Sequence, residues 1–267
     1  MPVEQITFAE DERLEPFRSI RTRNWVDGSR IFVAEGPQLV QRLLTSDYTA
    51  KCVLVDEKYA PRFLPELPQE LETYVVPHSL VPDVVGFKFH RGLLGCGVRK
   101  PRLNLREALG TVSDTDTIPV LVGVQDLENL GCIMRTCAGL GLTRVILGPG
   151  CCDPFARRAL RVSMGAVFKL QLLYSDDVSG DLTWLQAVAG LQCVATSLDE
   201  CSVPLDQATR FGPVAIFVGN EKAGLPESVR SLASHQVRID MHGGVDSLNV
   251  SVAAGIILHH FSRILLR

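Results

Sequence analysis

The chain has 267 residues, 46% hydrophobic and 21% charged, so it can bury a real core, which excludes disordered and low-complexity architectures. Its 27 basic and 30 acidic residues give a net charge of −3, which excludes a protein that coats nucleic acid by bulk positive charge. A nucleic-acid enzyme with local basic clusters stays compatible, because phosphates respond to local fields.

Residues 1–16 carry Glu4, Glu10, Asp11, Glu12 and Glu15, without the basic start and apolar run of a secretory signal. No apolar stretch reaches the roughly 18–20 residues of a membrane helix, and His259 and His260 interrupt the best candidate. A soluble, cytoplasmic protein is expected.

From the amino terminus, residues 31–34 read as a strand. A helix follows over 37–44, since proline suits a first helical turn. Residues 52–55, 73–76 and 93–98 read as three further strands, with helical pieces between them. Together they predict a small α/β domain over 1–105. Residues 106–117 carry Ser113, Asp114 and Asp116 and read as a linker; a short helix falls near 105–109.

From residue 118 strands and helices alternate. Strands are predicted at 119–124, 144–147, 168–173, 192–196, 214–218 and 236–239. Helices are predicted at 129–140, 154–164, 182–189, 226–232 and 248–265. The apolar strand runs suit a parallel sheet covered on both faces, with ligands at the carboxyl ends of the strands. The eight cysteines (Cys52, Cys96, Cys132, Cys137, Cys151, Cys152, Cys193 and Cys201) form no C-x-x-C pair, and no nearby histidine gives zinc-ligand spacing. They read as reduced, mostly buried small hydrophobes, with no metal expected.

Three loops carry chemistry. The first, Asp126-Leu127-Glu128-Asn129-Leu130-Gly131, opens a helix in which Arg135 lies six residues beyond Asn129. That is about 240° around a 3.6-residue helix, so the two need not share a face. The second, Gly219-Asn220-Glu221-Lys222-Ala223-Gly224, ends a strand with an amide and a carboxylate between glycines that admit close backbone approach. The third, 239–255, places Ser247 and Asn249 at the start of an apolar helix. Each loop alone also fits an ordinary cap or turn.

In this order and spacing, N-x-G-x-x-x-R, V-G-N-E-x-x-G-L and S-L-N-V-S-V-A-A resemble the SpoU-type (TrmH-like) RNA 2′-O-ribose methyltransferases of the SPOUT superfamily, over about residues 118–267. Val162-Ser163-Met164-Gly165-Ala166 is similar to the family's S-x-G-A element, and Ala195-Thr196 to a strand-ending pair. More loosely, Phe32-Val33-Ala34-Glu35-Gly36 and His90-Arg91-Gly92-Leu93-Leu94-Gly95 resemble the start and closing strand of a ribosomal-protein-like RNA-binding domain. Two departures stand out. Asp240 takes a place where the family often has proline, and Leu127-Glu128 follow Asp126 where an Asp-Pro pair is usual.

The resemblance implies S-adenosylmethionine as methyl donor, a deep trefoil knot in the parallel-sheet C-terminal domain, and a homodimer with sites near its interface. A knot runs against the rule that chains do not thread loops, so it rests on the resemblance alone. The resemblance assigns Asn129, Arg135, Glu221, Ser247 and Asn249 to catalysis. It assigns Thr196, Gly219, Gly224, Ile239, Met241 and Leu248 to the cofactor. The substrate implied is a ribose 2′-hydroxyl of structured RNA, ribosomal RNA before transfer RNA because of the extra amino-terminal domain. Arg18, Arg21, Arg23, Arg30 and Arg91 are candidates for its RNA-binding face. A tRNA enzyme and a catalytically inactive RNA-binding factor are the alternatives. A Rossmann dehydrogenase is disfavoured, because residues 139–144 lack the third glycine of G-x-G-x-x-G.

Overall fold

The computed structural model describes residues 3–18 and 30–263. In chain order the elements are β1 (Val3–Gln5), β2 (Ile31–Glu35), α1 (Pro37–Leu44), β3 (Ala50–Asp56), α2 (Ala60–Phe63), β4 (Glu72–Val76), α3 (Val81–Val85) and β5 (Leu93–Val98). There follow β6 (Leu103–Asn104), α4 (Leu105–Ala108), β7 (Thr117–Leu121), α5 (Leu127–Gly139), β8 (Arg144–Leu147), α6 (Arg157–Val162), β9 (Gln171–Tyr174) and α7 (Val178–Ala187). The last are β10 (Gln192–Thr196), β11 (Val203–Pro204), β12 (Val214–Val218), α8 (Glu227–Arg230), β13 (His235–Arg238) and α9 (Val250–Arg263).

The chain forms two compact units. The first is Met1–Pro101 with Asp153–Lys169, and the second is Arg102–Cys152 with Leu170–Arg267.

In the first unit, five strands form a mixed sheet in the order β1-β4-β3-β5-β2. β5 runs antiparallel to β2 and β3, while β3, β4 and β1 are parallel. Pro37 opens α1, where its missing N–H leaves no bond unmade, and Leu39, Val40 and Leu43 are buried. The segment Asp153–Lys169 returns to close this unit's core. Its Phe155 and Phe168 pack with Phe32 and Tyr48, ring centroids 5.0–5.8 Å apart. The helix predicted over 154–164 is shorter, because the Asp153 carboxylate accepts from Phe155 N at 3.0 Å and holds a turn ahead of α6. The strand predicted from 168 starts at Gln171, because Phe168 sits in a 3-10 turn over Ala166–Lys169 that feeds the aromatic cluster.

This return segment redistributes charge. A cut at residue 105 leaves 14 basic and 14 acidic residues in the amino-terminal part. The first unit as folded holds 17 basic and 15 acidic residues, net +2, and the second holds 10 and 15, net −5.

In the second unit, eight strands run in the order β11-β13-β10-β12-β7-β8-β9-β6, and every pairing is parallel. Alternate residues Ile118, Val120, Ala215 and Phe217 join Leu182 and Leu185 of α7 in one core layer. α9 packs against β12, β7 and α5, burying Ala254, Ile257, Leu258 and Phe261. Cover on both faces explains the unbroken apolar strand runs. The helix predicted at 182–189 starts earlier, at Val178, because Asp177 caps it by accepting from Gly180 N at 3.1 Å. Pro226 is the cap residue of α8 and precedes its first turn. Among the described residues, no helix is long and apolar enough to cross a membrane.

Candidate active site

The site lies in the second unit, where the loops after β7, β10, β12 and β13 meet at the carboxyl ends of their strands. Asp126 caps α5, its Oδ1 accepting from Glu128 N at 2.8 Å and Asn129 N at 2.9 Å. The predicted start at Asn129 therefore moves to Leu127, and the Asn129 side chain is released from capping. Its Nδ2 donates to Glu221 Oε1 at 3.1 Å, and its Oδ1 accepts from Asn249 Nδ2 at 2.9 Å. Asn249 in turn accepts from Ser251 N at 2.9 Å and Ser251 Oγ at 2.6 Å, fixing the start of α9. Three loops distant in sequence are thus joined by one hydrogen-bonded chain of two amides and a carboxylate.

Glu221 is the hub. Besides Asn129, its carboxylate accepts from Asp126 N at 3.1 Å, Gln125 N at 3.3 Å and Asn220 Nδ2 at 3.3 Å. Partial desolvation raises its pKa. Hydrogen bonds from Asn129 and from the backbone N–H groups of Glu221, Asp126 and Gln125 outweigh this and hold it below the ordinary carboxylate range. It is ionised at neutral pH and anchors the start of α5.

Asn220 is a residue that sequence reasoning passed over. Its Oδ1 accepts from Lys222 N at 2.9 Å and Ala223 N at 3.0 Å, and its Nδ2 donates to Gly123 O at 2.6 Å. It holds the 219–224 loop closed and ties it to the strand-end loop after β7. An amide directly after a strand-ending glycine was the available signal.

Gly219 is required by a close approach. A Cβ there would stand 2.6 Å from Gly224 O and overlap the backbone of Leu225. Gly219→Ala is expected to lower stability by about 1–3 kcal/mol through overpacking. Thermal unfolding reads this directly, and a melting temperature equal to that of the unmodified protein would contradict the close approach.

A cavity of about 290 Å³ opens beside this loop. Thr196, Gly219, Gly224, Ile239, Met241 and Leu248, named as cofactor residues from the sequence, all line it, as do Glu221 and Ser247. Its volume is near the lower end of the roughly 300–1,000 Å³ usual for small-molecule clefts. Leu225, Ile239, Leu248 and Ile257 supply apolar wall. The loop through Met241, Ser247 and Leu248 runs beside that wall. An apolar wall of this kind fits an adenosine better than a bare anion.

Arg135 stands apart from this assembly. It is exposed on α5, does not line the cavity, and makes no hydrogen bond or ion pair with the described residues. The predicted RNA-binding arginines lie in the first unit. Arg18 donates to Asp11 O at 2.7 Å, Arg30 is exposed, and Arg91 approaches Glu35. Arg21 and Arg23 lie outside the described residues.

A family model described as the SpoU rRNA Methylase family matches residues 116–259. An uncharacterized tRNA/rRNA methyltransferase of Mycobacterium tuberculosis is 32% identical, covering 98% of this chain and 93% of its own. The 23S rRNA (guanosine(2553)-2'-O)-methyltransferase RlmP of Bacillus subtilis is 25% identical, covering 97% of this chain and 99% of its own. Among solved structures, an AdoMet-bound rRNA methyltransferase from Sinorhizobium meliloti superposes with a TM-score of 0.85 over 100% of both chains, at 27% identity.

Proposed function

We propose that this chain, which belongs to the SpoU rRNA Methylase family, is an enzyme that transfers a methyl group from S-adenosylmethionine to a ribose 2′-hydroxyl of ribosomal RNA in the cytoplasm. The observation that carries the reading is the joining of Asn129, Glu221 and Asn249 into one hydrogen-bonded chain beside the cavity.

When bound, S-adenosylmethionine supplies a methyl group on a sulfonium, ready for in-line displacement. The protein's task is alignment and the handling of one proton. The rims of the 290 Å³ cavity, Thr196, Gly219, Gly224, Ile239, Met241 and Leu248, hold the donor. Glu221 and Asn249 fix Asn129, and Ser247 stands exposed at the cavity rim to meet substrate. Arginine side chains in proteins act as fixed cations and not as bases, which suits Arg135 to charge stabilisation. Its role is to clamp an RNA phosphate and stabilise charge developing on the 2′-oxygen.

The reading also includes a deep trefoil knot in the second unit and a homodimer; the first unit, in which the return segment Asp153–Lys169 joins residues 1–101, is read as the ribosomal-protein-like RNA-binding domain, and the second, which absorbs the expected linker 106–117, as the methyltransferase domain. The dimer is supported by α9, where Val252 and Ile256, one turn apart, are 51% and 41% exposed. Apolar side chains spaced four residues apart on an open helix face suit a partner helix.

The test is incubation of unmodified total RNA with purified protein and labelled S-adenosylmethionine, followed by mapping of the label. Label on ribose 2′-oxygens of ribosomal RNA is expected. Label on bases would refute the reaction type, and label on transfer RNA alone would refute the substrate.

A further inference from the structure

A buried carboxylate in the first unit gathers three guanidinium groups. Glu35 ends β2 and is 5% exposed. Its Oε2 accepts from Arg157 Nη1 at 2.8 Å and lies 3.6 Å from Arg161 Nη1, while its Oε1 lies 3.4 Å from Arg91 Nε. One carboxylate answers one of three positive charges, so the cluster keeps a surplus of two.

The three arginines are held, yet not used up. The side chains of Arg91 and Arg161 are 51% and 43% exposed. Each guanidinium has five donors in a planar fork, and Glu35 engages one edge. Arg157 lies over the Phe87 ring, 4.6 Å from its centroid, which sets its plane. Arg91 lies across Gly36, where a Cβ would come within 2.9 Å of Arg91 Cδ. Beside them, Arg42 donates to Met164 O in the turn after α6.

A structural ion pair for Glu35 needs one arginine. Three converging cations repel one another unless a further anion joins them, and guanidinium forks match phosphate oxygens in bidentate geometry. We propose that Arg91, Arg157 and Arg161, oriented by Glu35, form a clamp for a phosphate group of the RNA backbone. This rests on the reading that the chain acts on RNA. Two of the three arginines come from the return segment Asp153–Lys169, which also makes the first unit net positive. A backbone clamp fixes register and orientation and does not read sequence.

The test measures binding of the full chain to an unmodified ribosomal RNA transcript by fluorescence anisotropy, across a series of KCl concentrations and without S-adenosylmethionine. Arg91→Ala and Arg161→Ala are each expected to weaken binding about 10-fold. Each should also flatten the slope of log affinity against log salt by about 0.7–0.9, the value for one lost phosphate contact. Arg62→Ala removes an exposed arginine of the same unit outside the cluster, and its slope should stay at the wild-type value. Arg157 is more buried, so thermal melts accompany every variant, and the two exposed arginines decide the question if Arg157→Ala fails to fold. Unchanged slopes in both exposed variants would overturn the clamp, and so would an equal loss on Arg62→Ala. Wild-type protein that binds RNA with this salt response but transfers no methyl group would overturn the proposed reaction and leave the clamp standing.

Discussion

Arg135→Ala is expected to lower the methyl-transfer rate by at least about 10²-fold, near 2.7 kcal/mol of transition-state stabilisation, while thermal stability stays unchanged. The two halves of this expectation have separate grounds. α5 buries Leu130, Ile133, Met134 and Cys137, and Arg135 lies on its exposed side without a partner among the described residues. Removing it strands no buried group, so folding has nothing to lose. Its rate effect follows from the proposed contact with phosphate and with the developing oxyanion, which matters most in the transition state. Arg135→Lys keeps a charge but loses the planar fork, so it should recover only part of the rate. The measurement is single-turnover methylation of the RNA substrate with a thermal melt on the same preparation. Near-wild-type turnover in Arg135→Ala would remove this residue from the mechanism.

Much of the second unit's sheet is legible in the sequence. The bounds predicted for 144–147, 192–196 and 214–218 coincide with β8, β10 and β12. Unbroken apolar runs bounded by glycine, proline and polar residues leave little freedom there. The cavity was legible for another reason. Its lining residues lie up to 61 positions apart, from Thr196 to Ile257, and periodicity does not pair such loops. The resemblance of three motifs does.

Other features depend on long-range choices. Residues 154–164 read as a helix, but their local pattern does not say which sheet receives them. That choice is made by Phe155 and Phe168 finding Phe32 and Tyr48. The helix start expected at Asn129 falls two residues earlier, at Leu127, because Asp126 is the cap and leaves the Asn129 amide free for Glu221. β1, β6 and β11 have two or three residues each, and short strands are defined by their neighbours more than by their own composition. The charge balance also changed meaning, since the return segment carries three arginines and a lysine into the first unit.

Arg210 lies in no motif and is the centre of a buried polar cluster of the second unit. It is 2% exposed. Its Nε donates to Gly212 O at 2.7 Å, its Nη1 to Thr117 Oγ1 at 2.8 Å and Phe261 O at 2.7 Å, and its Nη2 to Asp114 O at 3.0 Å and Asp116 O at 2.7 Å. All five donors are used, and they join the entry to β7, the approach to β12 and the last turn of α9. A cation at a helix carboxyl end also opposes the helix dipole favourably. Burial pushes its pKa down and the Asp116 charge opposes this; an arginine starts so far above neutral that it stays charged. Arg210→Met keeps most of the apolar stem but leaves four carbonyls and a hydroxyl without their donor. The expected loss is about 3–5 kcal/mol, the range for removing one side of a buried charged cluster. For a chain of this size that is a fall of roughly 10 °C in melting temperature. Arg210→Lys restores the charge with three donors that cannot reach five acceptors in a plane, so it should recover little. Hydrogen exchange locates the effect: amides of α9 should lose protection first, because Phe261 O anchors that helix to the strand ends. Since α9 begins at the Asn249 cap that holds Asn129, the same variant should loosen the site from its far end. A melting temperature within about 2 °C of wild type would show that water or neighbouring donors replace the guanidinium, and that α9 is held by its apolar face alone.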